Sequence, residues 1–353
     1  MQKQFIRSFL MKSNLVKYTL SLAFLVSTML IAVSVGSVAV PIPEIIKIIG
    51  SELFRLPVAA DVDSMYISIV YDIRLPRVIL AGLVGASLAI AGAAFQGLLR
   101  NPLADPYILG VSSGASVGAV STLFFNISIP FLRMYTLPIL SIIAALATIM
   151  IVLFFAKKVD KTMRVESIIL TGIIFSSFLG SIISLIIALT GEELQQIMSW
   201  LLGSVSMRGW RYVGIILPFL IIGCFLLLMN SRELNAMSFG EERAQYLGVN
   251  VEKRKMLILA SGSILTGAAV AVSGTIGFVG LVIPHLARKL WGPDHMHLLP
   301  LSMITGAGFL ILTDLLSRTI ISPQVLPVGV ITALVGAPVF AVILIKQKRK
   351  AAR

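Results

Sequence analysis

The chain has 353 residues, 57% of them hydrophobic and 13% charged, with a mean hydropathy of +0.97. Charge at about half the ~25% usual in soluble domains excludes a large water-soluble core and leaves a polytopic membrane protein. The net charge of +13 follows from the topology described below and does not imply nucleic acid as a partner. The lone Cys224 offers neither a disulfide pair nor a metal set and reads as a buried neutral thiol.

The N-terminus carries Lys3, Arg7, Lys12 and Lys17 before an uncharged run at 18–43. The run exceeds the ~7–15 residues of a signal-peptide core, so it reads as a first transmembrane helix. The next run, 78–99, holds 22 uncharged residues between Arg77 and Arg100. At about 1.5 Å per residue it crosses a ~30 Å hydrocarbon layer. Ala81, Gly85, Ala89, Ala93 and Gly97 fall every fourth residue and form a strip of small side chains, which lets helix backbones pack closely in lipid. Gly110, Gly114 and Gly118 repeat the device in the next run. Between them, Pro102 and Pro106 forbid one continuous helix, so two packed membrane segments meet at a rigid polar turn.

Further uncharged runs lie at 106–132, 134–156, 167–191, 212–231, 256–287, around 295–313 and at 319–345. Gly274, Gly277, Gly280 and Pro284 interrupt the long 256–287 run, which predicts a full helix near 256–273 and a short broken helix ending near Leu290. The total is an all-α polytopic membrane protein of about ten transmembrane helices, one domain over 1–353. Of the 29 Lys and Arg, only Lys47, Arg55, Arg74, Arg77, Arg133, Arg208, Arg211 and Arg318 fall on the side away from the N-terminus. By the positive-inside rule both termini are therefore expected in the cytoplasm. The pattern Gly85-Ala86 to Pro102 is echoed by Gly267-Ala268 to Pro284 on a segment of opposite direction, as in an inverted repeat. Similar small-residue helices would also match by chance.

No phosphate loop GxxxxGK[ST] occurs, so the chain is not expected to bind ATP by that route, and no nucleophile–base pair marks it as an enzyme. His285, His295 and His297 gather near one membrane end without a ligand-spaced Cys or carboxylate set, and no metal site is expected. The longest insertion on the basic side is Asn235–Lys255. Ser238 precedes Glu241 by three residues, a capping-box start, and Gly248 is placed to end the same short helix. Such a helix, carrying Glu242 and Arg243, is either a docking knob for a soluble partner or a solvated loop. On the far side, Asp314 stands four residues before Arg318 and can pair with it. Arg74, Arg77 and Arg318 are alternatively spare for an acidic extracellular partner. Ser177, Ser181 and Ser184 form a polar strip that either lines a solute pathway or hydrogen-bonds another helix. The 14 uncharged residues between Glu193 and Arg208 are too short to span and are expected to lie at the outer surface as an amphipathic helix.

At RLPR (74–77), GAAFQGLLRNPLADPYILGVSSGASVG (92–118), LGV (247–249), GTIGFVGLVIPHLARKLWGPDH (274–295) and PVGVITALVGAPVFAVILIK (327–346) the chain resembles the FecCD-type permeases of ABC importers for ferric siderophores, haem and cobalamin. The resemblance implies the fold of the cobalamin-importer permease. It also implies a second permease subunit (identical or similar), two cytoplasmic ATPases that carry the ATP and Mg, and an extracytoplasmic binding lipoprotein or periplasmic protein. Arg74, Arg77 and Arg318 match arginines that receive the binding protein's acidic knobs. Ser238–Val251, with Gly240, Glu241, Glu242, Arg243, Leu247 and Gly248, matches the segment seated in the ATPase cleft. Asn101 and Leu103, flanking Pro102, match an inner gate. The second gate, of small hydroxyl residues in the cobalamin transporter, aligns with Val165-Glu166 and departs from that pattern.

The expected function is permeation of an iron–siderophore complex across the bacterial cytoplasmic membrane, with haem or cobalamin as alternatives. An ion-coupled carrier titrating Asp314 or Glu166 is the reading from another class. On the importer reading, Glu at positions 74 and 77 is expected to abolish uptake while leaving assembly intact.

Overall fold

The computed structural model describes residues 13–36, 38–54 and 62–351. Lys3, Arg7, Lys12, Arg55 and Arg353, which entered the charge bias, lie outside the described residues. The first helix, α1 (Asn14–Ser34), stops short of the apolar run's end, because Gly36, Pro41 and Pro43 break it. A second helix, α2 (Ile42–Phe54), follows with Ile45 and Ile48 buried. Residues 42–43, expected at the end of the first span, belong to this second helix. A π-helical segment, Ser68–Arg74, then leads into α3 (Leu75–Leu98).

The remaining helices follow in order: α4 (Val111–Phe124), α5 (Thr136–Val159), α6 (Val165–Leu189), α7 (Leu194–Leu201) and α8 (Trp210–Met229). The short α9 (Ser231–Ser238) and α10 (Glu241–Tyr246) precede α11 (Val251–Ser273). The chain closes with α12 (Val279–Trp291), α13 (His295–Thr319) and α14 (Val328–Ala351). Among the described residues seven helical segments are long and apolar enough to cross a membrane. Two shorter apolar helices, α4 and the Val328–Val342 part of α14, accompany them.

Where each span sits follows from how apolar it is on all sides. The most hydrophobic 18-residue stretch of the segment ending in α3 is 89% buried, whereas that of α6 is 11% buried. A helix apolar all round but bare of protein contacts must face lipid or another subunit. So α3, α11 and α13 form the centre, and α1, α6 and α8 the periphery. The small-residue strip of α3 lies on α13: a Cβ on Gly85 would strike the Gly306 backbone, and one on Gly97 the His295 ring. Gly114 and Gly118 rest likewise on Thr148, Leu140 and Ser141 of α5.

The order long helix, break, short helix occurs twice, in α3–α4 and α11–α12. The two long helices run in opposite directions, since Arg100 just past the end of α3 lines one cavity with Glu241, which Lys255 near the start of α11 binds. The repeat is one of element order rather than of residue register: Gly92 lies within α3, while its sequence echo Gly274 lies past the end of α11 at φ 71°. Neither short helix spans alone, because 14 residues rise only about 21 Å. The turn after α3 instead folds back into the bundle, where Pro106 packs on Gly280 and the Tyr107 hydroxyl both donates to the Ile276 carbonyl (2.8 Å) and accepts from its N–H (3.1 Å).

The tightest approach is that of α3 to the start of α12, where a Cβ on Gly92 would coincide with the Gly280 carbonyl. Backbone cannot rotate away as a side chain can. Gly92→Ala is therefore expected to lose about 3 kcal/mol, the upper range for overpacking, read as a lowered melting temperature in detergent.

Candidate functional site

Two ends of the bundle carry the polar chemistry. One, the basic end, holds the starts of α1, α6, α11 and α13 together with α9 and α10. At this end α10 stands off the bundle, with Tyr246, Leu247 and the preceding Phe239 exposed by 91%, 72% and 68%. The Schellman geometry explains its end: the Gly248 N–H donates to Gln245 (2.9 Å), the Val249 N–H to Ala244 (3.0 Å), and Gly248 takes φ 83°. Its start differs from the expectation. Ser238 is the last residue of α9 and donates to the Asn235 carbonyl (2.7 Å), so it caps nothing in α10. Gly240, at φ 117°, occupies the N-cap.

The knob is fixed by Lys255, whose side chain is 1% exposed. Its ammonium lies 2.8 Å and 2.9 Å from the two Glu241 carboxylate oxygens and donates to the Met163 carbonyl at 2.8 Å. One cation thus joins α10, α11 and the connection between α5 and α6. That connection is itself rigid. The Asp160 carboxylate accepts from the Thr162 hydroxyl (2.6 Å) and from Arg164 Nε (2.8 Å), and these bonds, the hydroxyl's first, hold it well below the usual carboxylate range. Arg254 adds Glu233 (3.0 Å) and Asn230 (2.9 Å), and Lys157 pairs with Glu252 (2.9 Å). Sequence reasoning missed Lys255. Its helical phase was the available signal, since 255, 258, 259 and 262 form one buried face while Lys253 and Arg254 point elsewhere.

A cavity of about 540 Å³ lies between α10 and the start of α6, lined by Arg100, Val165, Glu166, Phe239, Gly240 and Glu241 among others. The structure thus brings Val165 and Glu166 to Glu241, Glu242 and Arg243. Asn101 closes its own turn by accepting from the Leu103 N–H (2.9 Å), and Leu103 is 43% exposed beside Pro102. Ser177, Ser181 and Ser184 lie on the bare face of α6, and the Ser181 hydroxyl donates back to the Ser177 carbonyl (3.0 Å). Among the described residues they bond no other helix. The histidines are kept apart: His285 meets Phe340, His295 bonds Asn235 (2.8 Å), and His297 contacts Tyr18 and Asn14.

At the opposite end Asp314 forms the expected ion pair with Arg318 at long range and a closer one with Arg77. Asp314 is buried and gripped bidentately by Arg77, at 2.9–3.1 Å, while Arg318 Nε stands 3.9 Å away. Nor are the three arginines spare. Arg74 donates to the Val33 (2.8 Å), Ser34 (2.9 Å) and Val38 carbonyls, and Arg318 to Val35 (3.0 Å) and Ala32. Both thereby satisfy the orphan carbonyls at the end of α1. The outer piece between Glu193 and Arg208 forms α7 with Ile197 and Trp200 buried.

The sequence pattern that defines the FecCD transport family matches residues 24–346. A Bacillus subtilis protein described as an uncharacterized ABC transporter permease, YvrB, is 59% identical over 99% of both chains. The cobalamin import system permease protein BtuC of Halobacterium salinarum is 41% identical over 89% of this chain and 82% of its own. A solved structure described as an inward-facing conformation of a putative metal-chelate type ABC transporter superposes with a TM-score of 0.80. It is 33% identical and covers 94% of this chain and 99% of that one.

Proposed function

The chain belongs to the FecCD transport family, and from that premise we propose that it is the permease of an ATP-driven importer carrying a ferric-siderophore complex across the bacterial cytoplasmic membrane. The basic end lies in the cytoplasm, as the positive-inside rule requires, with both termini on that side. Two ABC ATPases bind there, α10 seats in them, and ATP is bound and hydrolysed on those subunits. A second permease copy or close homologue covers the bare α6. An extracytoplasmic binding protein delivers cargo to the other end, where three guanidiniums around one carboxylate leave a positive field that favours acidic groups. The bundle then alternates access about the Gly/Pro breaks at 97–106 and 274–284.

The observation that carries this reading is α10 itself: a capped helix with exposed Tyr246 and Leu247, held to α11 and to the α5–α6 connection by Lys255. Exposed aromatic and aliphatic anchors on a fixed knob suit a protein partner. The cargo reading draws on the relatives, whose names include cobalamin and metal-chelate transport. Because Tyr246 and Leu247 contribute little to the chain's own packing, replacing both with Ala should leave its stability unchanged and abolish co-purification of the cognate ATPase. Undiminished co-purification would overturn the assignment of α10.

A further inference from the structure

A groove of about 310 Å³ runs between α1, α12 and α13, walled by Leu20, Phe24, Leu286, Leu290 and Phe309 among others. Its surface is almost entirely carbon, and the Thr305 hydroxyl on its wall is turned back onto the Leu301 carbonyl (2.7 Å). Leu20, Phe24 and Leu290 are exposed, so the groove opens sideways off the bundle, where a membrane puts lipid. It starts at the basic end, where α12 finishes and α13 begins, and reaches Phe309, about 18 Å along α13 from His297. Half of a ~30 Å hydrocarbon layer is about 15 Å, so the groove is as deep as one leaflet.

The mouth of the groove is cationic. The Lys17 ammonium, one turn before Leu20 on α1, donates to the Trp291 carbonyl at the end of α12 (2.9 Å), which uses one of its three N–H groups. Lys289, one turn past Leu286 on α12, is exposed. Among the described residues neither lysine enters an ion pair. Asp294, the carboxylate at the start of α13, is bound by the Asn235 amide (2.7 Å) and the Met296 N–H (3.0 Å). The positive-inside rule accounts for cations at this end, but not for two of them flanking an apolar groove one leaflet deep.

We infer that the groove is a lipid site, which takes one acyl chain of an anionic phospholipid while Lys17 and Lys289 hold its phosphate. The chain covers the apolar walls, and the phosphate supplies the negative charge that the two ammoniums lack. With the basic end in the cytoplasm, the lipid belongs to the inner leaflet. Because α12 follows the break after Ser273, the bound lipid braces this short helix against α1.

The test titrates the delipidated permease–ATPase complex in detergent with phosphatidylglycerol, or with phosphatidylcholine of the same chains, and counts bound lipid by native mass spectrometry. Saturable binding that favours phosphatidylglycerol is expected. Lys289→Gln should reduce that preference about fivefold, the equivalent of ~1 kcal/mol for one cation at a lipid surface. Lys158→Gln removes an exposed cation of α5 at the same end and should leave the preference unchanged. Leu286→Trp, which fills the groove, should cut the binding of both lipids. Equal binding of the two lipids by the wild type, or a preference that survives Lys289→Gln, overturns the site. An equal loss in Lys158→Gln also overturns it, by reducing the preference to a general attraction for the basic end. Unchanged binding by folded Leu286→Trp puts the acyl chain elsewhere and overturns the groove as its seat.

Discussion

Arg77→Ala is expected to destabilise the bundle by about 3–5 kcal/mol and to lower the amount of folded protein recovered from membranes. The cause is Asp314, 1% exposed, which loses the three hydrogen bonds of its bidentate partner and is left a buried polar group without that compensation. Arg318 offers Asp314 only the longer ion pair of its Nε at 3.9 Å, while its two Nη groups donate to the end of α1. Glu at position 77 should be worse, because it adds a second negative charge beside Asp314. The sequence alone had suggested that Glu at 74 and 77 would spare assembly and stop only uptake; the ion pair reverses that order. Removing both charges, as Arg77→Met with Asp314→Leu, should recover most of the loss, since a buried pair replaced by apolar groups of similar volume is often neutral. Thermal unfolding of the single and double variants in detergent checks the sign. Equal stability of Arg77→Ala and the wild type would show that the pair does not hold the bundle.

Lys255→Met is expected to cut transport at least tenfold while the ATPase remains bound. The variant keeps the length and apolar stem of the side chain but releases Glu241 and the Met163 carbonyl, so α10 loses its tie to α11 and to the α5–α6 connection. The exposed anchors Tyr246 and Leu247 are untouched. A partner would still dock, but its movement would rock α10 instead of the bundle. The measurement is solute taken up per ATP hydrolysed in proteoliposomes. A falling ratio with retained ATPase fits the strut; an unchanged ratio assigns transmission to another contact.

Local signals in the sequence were read well, and long-range ones were not. The every-fourth small residues of α3, the proline-closed turn after it, the break after Ser273 and the C-terminal role of Gly248 each depend on neighbours within a few residues, and each stands in the structure. The sequence allows two readings of the serine strip, and among the described residues its hydroxyls bond no other helix. Asp314 shows the limit. The i,i+4 spacing offered Arg318, but the partner that wins is 237 residues away in sequence, brought there by the packing of α3 on α13. The arginines of the RLPR segment stood where the topology rule disfavours them, which rightly marked them as special. That signal could not separate a partner's carboxylate from a helix end of the same chain. The capping box failed for a related reason: Ser238 and Glu241 have the right spacing, yet Gly240 breaks the chain direction between them and Glu241 is drawn to Lys255.

The central claim is that this chain conducts solute only when a nucleotide-hydrolysing partner works through α10. The direct measurement is uptake of a radiolabelled ferric chelate into proteoliposomes, holding either this permease alone or the permease with its ATPase, binding protein and ATP. Accumulation only in the complete set, and its loss when Gly240–Asn250 is deleted, is the predicted result. Accumulation against a gradient by the permease alone would contradict it.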